Sequence, residues 1–410
     1  MTTSHSLPKQ KIKALLLGGI HHRAKDVFKD HGYDSIKILD KELSHDALIA
    51  AVRDVHFLGI RSATQITEAV LDAAPKLISI GCFCIGTNQV DLVACKKRGI
   101  AVFNSPFGNT RSVAELVIAE VIMLLRGIPE KNVAAHAGRW MKTAKGSTEC
   151  RGKTLGIIGY GHIGTQVGVL AEALGMRVIA YDIVPKLMLG NAMMMPTKDA
   201  LLKEADVVTL HVPGGKETKN LIGAGELRAM KPGSRIINAA RGQIIDTAAL
   251  KEALESGHIA GAAIDVHPEE PVSKDDRFIS PLQGLQNVIL TPHIAGSTME
   301  AQGRIGEEVA ERLISFSDTG STLGSVNLPE LSLPLQAGCH RLLHIHRNEP
   351  GLLASINEVF AKHQVNIAGQ FLKTDTVVGY VVTDIERPCS KDVIASLKNI
   401  PGTIRTRTLY

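Results

Sequence analysis

The stretch Leu155-Gly-Ile-Ile-Gly-Tyr-Gly-His-Ile-Gly164 sets three glycines directly behind an apolar strand and directly ahead of a helical run, Thr165–Leu174. Gly159 permits a tight turn, Gly161 lets the backbone approach a pyrophosphate, and Gly164 lets the helix pack close to the strand. The helix N-terminus then offers free N–H groups and partial positive charge to phosphates. The next strand, Arg177–Tyr181, ends on Asp182, eighteen residues past Gly164. A carboxylate there accepts both ribose hydroxyls of NAD and repels the 2′-phosphate of NADP. Ile183 and Val184 follow it, so no arginine stands ready for that phosphate. The motif therefore predicts a nucleotide-binding βαβ unit that takes NAD.

The rest of the chain repeats the same alternation. Ala14–Leu17, Ile36–Leu39, His56–Ile60, Leu77–Cys82 and Ile100–Phe103 read as strands. Between them, Ser44–Asp54 and Thr67–Ala74 carry apolar residues at helical spacing. Alternation of this kind predicts a parallel sheet covered by helices. Ser112–Arg126 is apolar on most sides and reads as a buried helix. A second alternating block runs from Leu155 to about residue 294, and a helix follows over Glu300–Ser317. Residues 318–325 and 331–338 read as loop and linker. Beyond them Arg341–His346, Leu352–His363, Asn366–Lys373, Gly379–Ile385, Lys391–Ile400 and Thr403–Thr408 follow the order βαββαβ, which is ferredoxin-like. The fold class is α/β: two Rossmann-like, doubly wound parallel-sheet domains with a ferredoxin-like domain at the C-terminus.

A chain of 410 residues exceeds one compact core. Its 46 basic and 41 acidic residues are well mixed, with no basic arm or aromatic platform, which argues against a nucleic-acid partner. No apolar run reaches the ~20 residues of a membrane span. The six cysteines, Cys82, Cys84, Cys95, Cys150, Cys339 and Cys389, follow neither disulfide nor zinc spacing, so no metal is expected and a reducing cytoplasm fits. Lys11–Gly18 reads as the first strand rather than a targeting segment.

Three further motifs follow apolar strands: Ile236-Ile-Asn-Ala-Ala-Arg241-Gly242, Ala263-Ile-Asp265-Val-His-Pro-Glu-Glu270-Pro271 and Thr291-Pro-His293. Strand C-termini of a doubly wound sheet are where ligands bind, so Arg241, Asp265, Glu270 and His293 are expected to converge beside the nicotinamide. Oxidising an alcohol by hydride transfer needs a base, a cation for a neighbouring carboxylate, and an anion to orient the base. A lone histidine leaving a buried strand is more often a satisfied core residue. In this company His293 reads as the general acid/base.

These motifs, with the glycine fingerprint, resemble the D-isomer-specific 2-hydroxyacid dehydrogenase family over residues 12–330. The resemblance implies that Arg241 binds the substrate carboxylate and carbonyl, Glu270 pairs with the histidine, and His293 accepts the proton. His267 falls at a variable motif position and reads as structural. The register against Pro271 favours Glu270 over Glu269. Ile80–Asp91 and Phe107–Glu115 further resemble family members that open serine synthesis by oxidising a phosphorylated 2-hydroxy acid. From that resemblance, Arg61, Ser62, Asn109 and Gln302 hold the substrate, with Lys142, near Trp140, contributed by a neighbouring subunit. Cofactor contacts are implied at His162, Ile163, Ala239, Ala240, Arg241, Asp265, His293, Ile294, Ala295 and Gly296. Such relatives carry a second arginine where Ala63 stands, and a lysine near position 40 that is here Lys41. Their hinge glycine pairs are here Ala295-Gly296 and Ala337-Gly338.

The implied domains are 1–107 with 297–336 for substrate, 108–296 for NAD, and 337–410 for regulation. The last resembles an ACT domain, in which His346, Asn348 and Asn366 match residues that bind L-serine across a domain pair. A homotetramer is implied. The same chemistry on another D-2-hydroxy acid, such as 2-hydroxyglutarate or glycerate, is the alternative. An NAD-sensing corepressor-like binding protein is the reading from another class.

Overall fold

Strands covered on both faces read as unbroken apolar runs, and of the five strands that open the chain all but the edge strand Ser35–Leu39 are buried over most of their length. The computed structural model describes residues 7–271, 276–386 and 390–409. The opening strands are β1 (Lys13–Leu17), β2 (Ser35–Leu39), β3 (Phe57–Ile60), β4 (Ser79–Cys82) and β5 (Ala101–Asn104). They pair in parallel in the order β2-β1-β3-β4-β5. The order reverses between β1 and β3, which makes their carboxyl ends the place for a ligand. The fourth strand starts two residues later than its apolar run. The Leu77 N–H bonds the Ala74 carbonyl, closing a turn before the ladder begins.

A second parallel sheet contains β6 (Thr154–Ile158), β7 (Arg177–Tyr181), β8 (Met193–Met194), β9 (Val207–Leu210), β10 (Ser234–Asn238), β11 (Ile259–Ile264) and β12 (Val288–Leu290). Its order is β12-β11-β10-β9-β6-β7-β8, reversing between β6 and β9. The helix Thr110–Arg126 packs on this sheet through Val113, Val117, Val121 and Leu124, all buried. It ends at Gly127, whose φ of 57° is the left-handed cap that glycine adopts freely.

The C-terminal sheet is antiparallel: β13 (His340–Arg347), β14 (Ile367–Thr374), β15 (Val378–Ile385) and β16 (Thr403–Leu409), in the order β14-β15-β13-β16. Helices Leu352–Lys362 and Lys391–Lys398 complete the βαββαβ pattern. Ser390 caps the second by accepting from the Val393 N–H. Cys389 lies outside the described residues, and the other five cysteines are free thiols.

The contacts divide the chain into two units. One gathers the described residues up to Gly108 with those from Gln302 onward, and the other runs from Asn109 to Ala301. The ferredoxin-like sheet, read from sequence as a separate unit, therefore joins the first parallel sheet. Leu343, Ile345, Tyr380 and Val382 share one apolar cluster with Phe28, Phe57 and Phe316. Lys96 pairs with Asp375 at 2.7 Å, and Arg405 donates to the carbonyls of Leu77 and Gly99. Arg341 and Asp384, each side chain 3% exposed, form a bidentate pair at 2.7 Å. The same guanidinium donates to the carbonyls of Thr319, Leu333 and Pro334, fastening the linker to the sheet. Breaking a buried pair of this kind costs roughly 3–5 kcal/mol, because an uncompensated charge stays inside. At the expected hinges, the positive φ of 79° falls on Gly338, which is retained, and Ala337 does not share it.

Candidate active site

The glycine loop between β6 and the helix His162–Ala173 performs the three roles its spacing predicts. Gly159 has a φ of 92° and lies against the His211 carbonyl, leaving no room for a Cβ. A Cβ on Gly161 would meet only open space, so its backbone is accessible to a ligand. A Cβ on Gly164 would collide with the Gly159 carbonyl, the close helix–strand approach expected there. No side chain caps the helix at Gly161. Its first N–H groups face a cavity of about 490 Å³ lined by Gly161, His162, Thr165, Gln166 and Lys186 among others. Asp182 accepts from the Tyr160 N–H at 2.9 Å and the Val184 N–H at 3.0 Å, which turns its carboxylate toward the loop. Exposed donors, open backbone and an acid at the next strand end suit a dinucleotide. Ile163, half-buried, packs beneath the loop.

At the end of β10 the chain turns on Asn238. Its Oδ1 accepts from the Ala240 N–H and its Nδ2 donates to the Arg241 carbonyl. Ala239 and Ala240 are thereby fixed, and Arg241 emerges half-buried with Nη1 donating to the Ala240 carbonyl at 2.6 Å. Gly242 lies directly on the His267 carbonyl, where a Cβ has no space. That approach joins the turn bearing Arg241 to the loop that follows β11.

The loop after β11 and the turn after β12 are organised by one carboxylate. Asp265, 1% exposed, accepts from the Thr291 hydroxyl at 2.6 Å and from the Ile294 and Ala295 N–H groups at 2.8 Å each. Its own carbonyl accepts the His293 N–H at 2.8 Å. His293 is held at a φ of 55°, a conformation that non-glycine residues seldom adopt and that its surroundings must enforce. In that pose Nδ1 lies 3.0 and 2.8 Å from the two Glu270 oxygens. Because a carboxylate only accepts, Nδ1 carries the proton and Nε2 keeps the lone pair.

The hydrogen bond that His293 donates to Glu270 raises the imidazole pKa, against an opposing effect of burial and of the Arg241 charge. Burial works to raise the Glu270 carboxyl, but the bonds from His293 and the His267 N–H overcome it and hold it low. His267 is buried, with Nε2 against the Thr291 carbonyl at 3.0 Å and its ring edge on Phe278. Glu269 is exposed and outside these contacts. Asp265, read from sequence as a cofactor contact, has its carboxylate turned to the 291–295 turn. Ile294 is exposed, Ala295 is buried, and Gly296 packs against Asn109, whose Nδ2 lies where a Cβ would be. The sequence reading missed Glu120, an acid in an otherwise apolar helix face. It is 2% exposed with no hydrogen-bond partner, and burial, then the charge of Asp265, pushes it up to about 8.

The remaining expected residues are scattered. Arg61 and Ser62 sit at the end of β3, Gln302 is half-buried in the helix Met299–Thr319, and Lys142 is exposed. In the C-terminal sheet His346 is 2% exposed, with Nδ1 on the Arg347 carbonyl at 2.7 Å. Asn348 follows β13 and donates to the Asp375 carbonyl. Asn366 precedes β14 at the other end of the ladder, because Arg347 pairs with Val378 whereas Ile367 pairs with Ile385. One chain therefore does not bring Asn348 and Asn366 together. Among the described residues no cluster of His, Cys, Asp and Glu is placed to hold a metal ion.

An imidazole oriented by a carboxylate, at the strand ends of a sheet whose glycine loop suits a dinucleotide, defines a nicotinamide-dependent dehydrogenase. Comparison with known proteins makes this specific. Residues 118–295 match the family "D-isomer specific 2-hydroxyacid dehydrogenase, NAD binding domain", and residues 342–405 match "AHAS small subunit-like ACT domain". The chain is 57% identical over 407 residues to D-3-phosphoglycerate dehydrogenase of Escherichia coli K12, covering 99% of each. It is 54% identical over 410 residues to that of Haemophilus influenzae, covering 100% of each. The solved Aquifex aeolicus D-lactate dehydrogenase, complexed with NAD and lactic acid, superposes with a TM-score of 0.64 at 29% identity, over 74% of this chain and 95% of that one. The chain belongs to the D-3-phosphoglycerate dehydrogenase family, a branch of the D-isomer specific 2-hydroxyacid dehydrogenases.

The His293–Glu270 bond has a pH signature. With His293 as the proposed base, oxidation requires the neutral imidazole, so its raised pKa moves the acid limb of kcat/KM above the ordinary value of about 6.5. In Glu270→Gln the limb is expected to fall toward that value, with a several-fold loss of kcat, measured as NADH formation across pH. An unmoved limb would show that Glu270 does not set the basicity of His293.

Proposed function

We infer that this chain is an NAD-dependent D-3-phosphoglycerate dehydrogenase, oxidising D-3-phosphoglycerate to 3-phosphohydroxypyruvate at the first step of L-serine biosynthesis. The observation that carries the reading is the His293–Glu270 pair on a turn fixed by Asp265, taken with the full-length identity to D-3-phosphoglycerate dehydrogenases. NAD, when bound, accepts the hydride from C2. His293 Nε2 takes the hydroxyl proton, since Nδ1 is committed to Glu270, and the Glu270 carboxylate stabilises the imidazolium that results. Arg241, the charged group leaving β10, clamps the substrate carboxylate. Asp182 holds the adenine-side ribose and disfavours a 2′-phosphate there. Ala239, Ala240, Ile294, Ala295 and Gly296 supply backbone toward the nicotinamide side, with His162 and Ile163 at the pyrophosphate.

Arg61 and Ser62 are assigned to the substrate phosphate, together with Asn109, Gln302 and a partner-supplied Lys142. The support is an arginine at a strand end where the sheet order reverses. NADH formation from D-3-phosphoglycerate tests the assignment. His293→Ala is expected to lose ~10²–10⁴ in kcat while NAD affinity stays within a few-fold. Near-normal turnover in that variant at every pH would remove the role of His293.

L-serine is proposed as the effector, bound where two ACT sheets meet in a homotetramer. The opposed positions of Asn348 and Asn366 on one ladder support a two-chain site, since a second sheet alongside would bring one asparagine to the other. The free thiols support a cytoplasmic location. Serine is expected to lower activity, and substrate or NAD to change serine affinity by the reciprocal factor. Calorimetric binding that survives Asn348→Ala with Asn366→Ala would remove the proposed site.

A further inference from the structure

The ligand end of the first parallel sheet lies where its order reverses, outside the carboxyl ends of β1 and β3. Gly18 and Gly19 leave β1 there, both with positive φ, and Arg61 leaves β3. Arg61 Nη1 approaches the Gly18 carbonyl at 3.5 Å, the long end of a hydrogen bond, so the guanidinium is only lightly held. The other partner at Gly18 is acidic. Glu42, three residues beyond β2, reaches across the end of β1 and places its carboxylate where a Cβ of Gly18 would stand. The same carboxylate accepts the hydroxyl proton of Thr64, three residues beyond Arg61. A cation and an anion thus flank one glycine at the switch point, and each makes its polar contact elsewhere rather than with the other. On the same loop Asp40 and Lys41 are exposed and opposite in sign, and Ala63, two residues past Arg61, adds no charge.

We propose that Glu42 is a specificity-determining residue of the substrate crevice: it opposes the hold of Arg61 on a dianionic phosphate and so admits 2-hydroxy acids whose far end is uncharged. This rests on the assignment of Arg61 to the substrate phosphate. A phosphate beside Arg61 meets a fixed like charge that a hydroxyl at the same place does not. The Thr64 hydroxyl holds the carboxylate of the otherwise exposed Glu42 beside Gly18. Discrimination between substrates here comes from a repulsive element as well as an attractive one.

The test compares D-3-phosphoglycerate with D-glycerate, which carries a hydroxyl in place of the phosphate, in wild type, Glu42→Gln and Glu42→Ala. Glutamine keeps an acceptor for Thr64 and removes only the charge. Both variants are expected to lower KM for D-3-phosphoglycerate roughly five- to tenfold at low salt, with less gain as salt screens the charge. KM for D-glycerate should stay within about twofold in Glu42→Gln, since no charge at its far end is affected. Equal losses on both substrates would show Glu42 to be a brace for the Gly18 loop and overturn the proposal. An unchanged ratio between the substrates would also overturn it. The underlying reading is decided separately, by whether wild type oxidises D-3-phosphoglycerate at all and whether Arg61→Ala raises KM for it selectively.

Discussion

One buried carboxylate organises the turn that carries His293. Asp265 binds the consecutive N–H groups of Ile294 and Ala295, a small concave anion site made of backbone, and the hydroxyl of Thr291. Without those bonds a β-strand leaving the sheet has no reason to place a histidine in the left-handed region, which costs of order 1–3 kcal/mol. The charge also has no other outlet at 1% exposure, so the turn and the acid depend on each other. Burial, and then the nearby Asp265 charge, pushes the Glu120 carboxyl up to about 8, so a second buried anion is disfavoured there.

From this anchor the electrostatics follow in order. The turn aims Nδ1 of His293 at Glu270, and the Glu270 carboxylate is itself steadied by the His267 N–H. A proton fixed on Nδ1 leaves Nε2 as the ring nitrogen with a free lone pair, the atom proposed to take the substrate proton. The Arg241 turn is stitched separately by Asn238 and packed onto the His267 backbone at Gly242, so cation and base hang from neighbouring strands, β10 and β11–β12. A rigid parallel sheet fixes those strand ends, and the short connections beyond them carry the functional groups.

The sequence patterns were most informative where one physical requirement controls many residues. Apolar runs of four to six residues read as strands and each formed one, although the edge strand β2 is only partly buried. The glycine spacing could serve only a tight strand-to-helix turn, and all three positions show the crowding or openness expected of them. His293 and Glu270 were legible because their motifs end strands, and the structure joins them. Less was legible where long-range packing decides. Asp265 was recognisable as a site residue, but which partner it serves depends on a turn twenty-six residues away. The C-terminal sheet was expected to stand alone, yet its Leu343, Ile345 and Tyr380 face the same apolar cluster as Phe28, a pairing no local pattern encodes. Glu42 looked like one more surface acid. Only its reach to Gly18 and Thr64 shows where its charge lies.

Asp265 is the residue that holds His293 in the pose proposed for catalysis, and the crystal structure of Asp265→Ala measures this directly. The result predicted is a turn at 291–295 that abandons the left-handed φ at His293, with loss of the Nδ1 bond to Glu270, while the strands on either side keep their register. A variant whose turn and His293–Glu270 bond are both unchanged would contradict it.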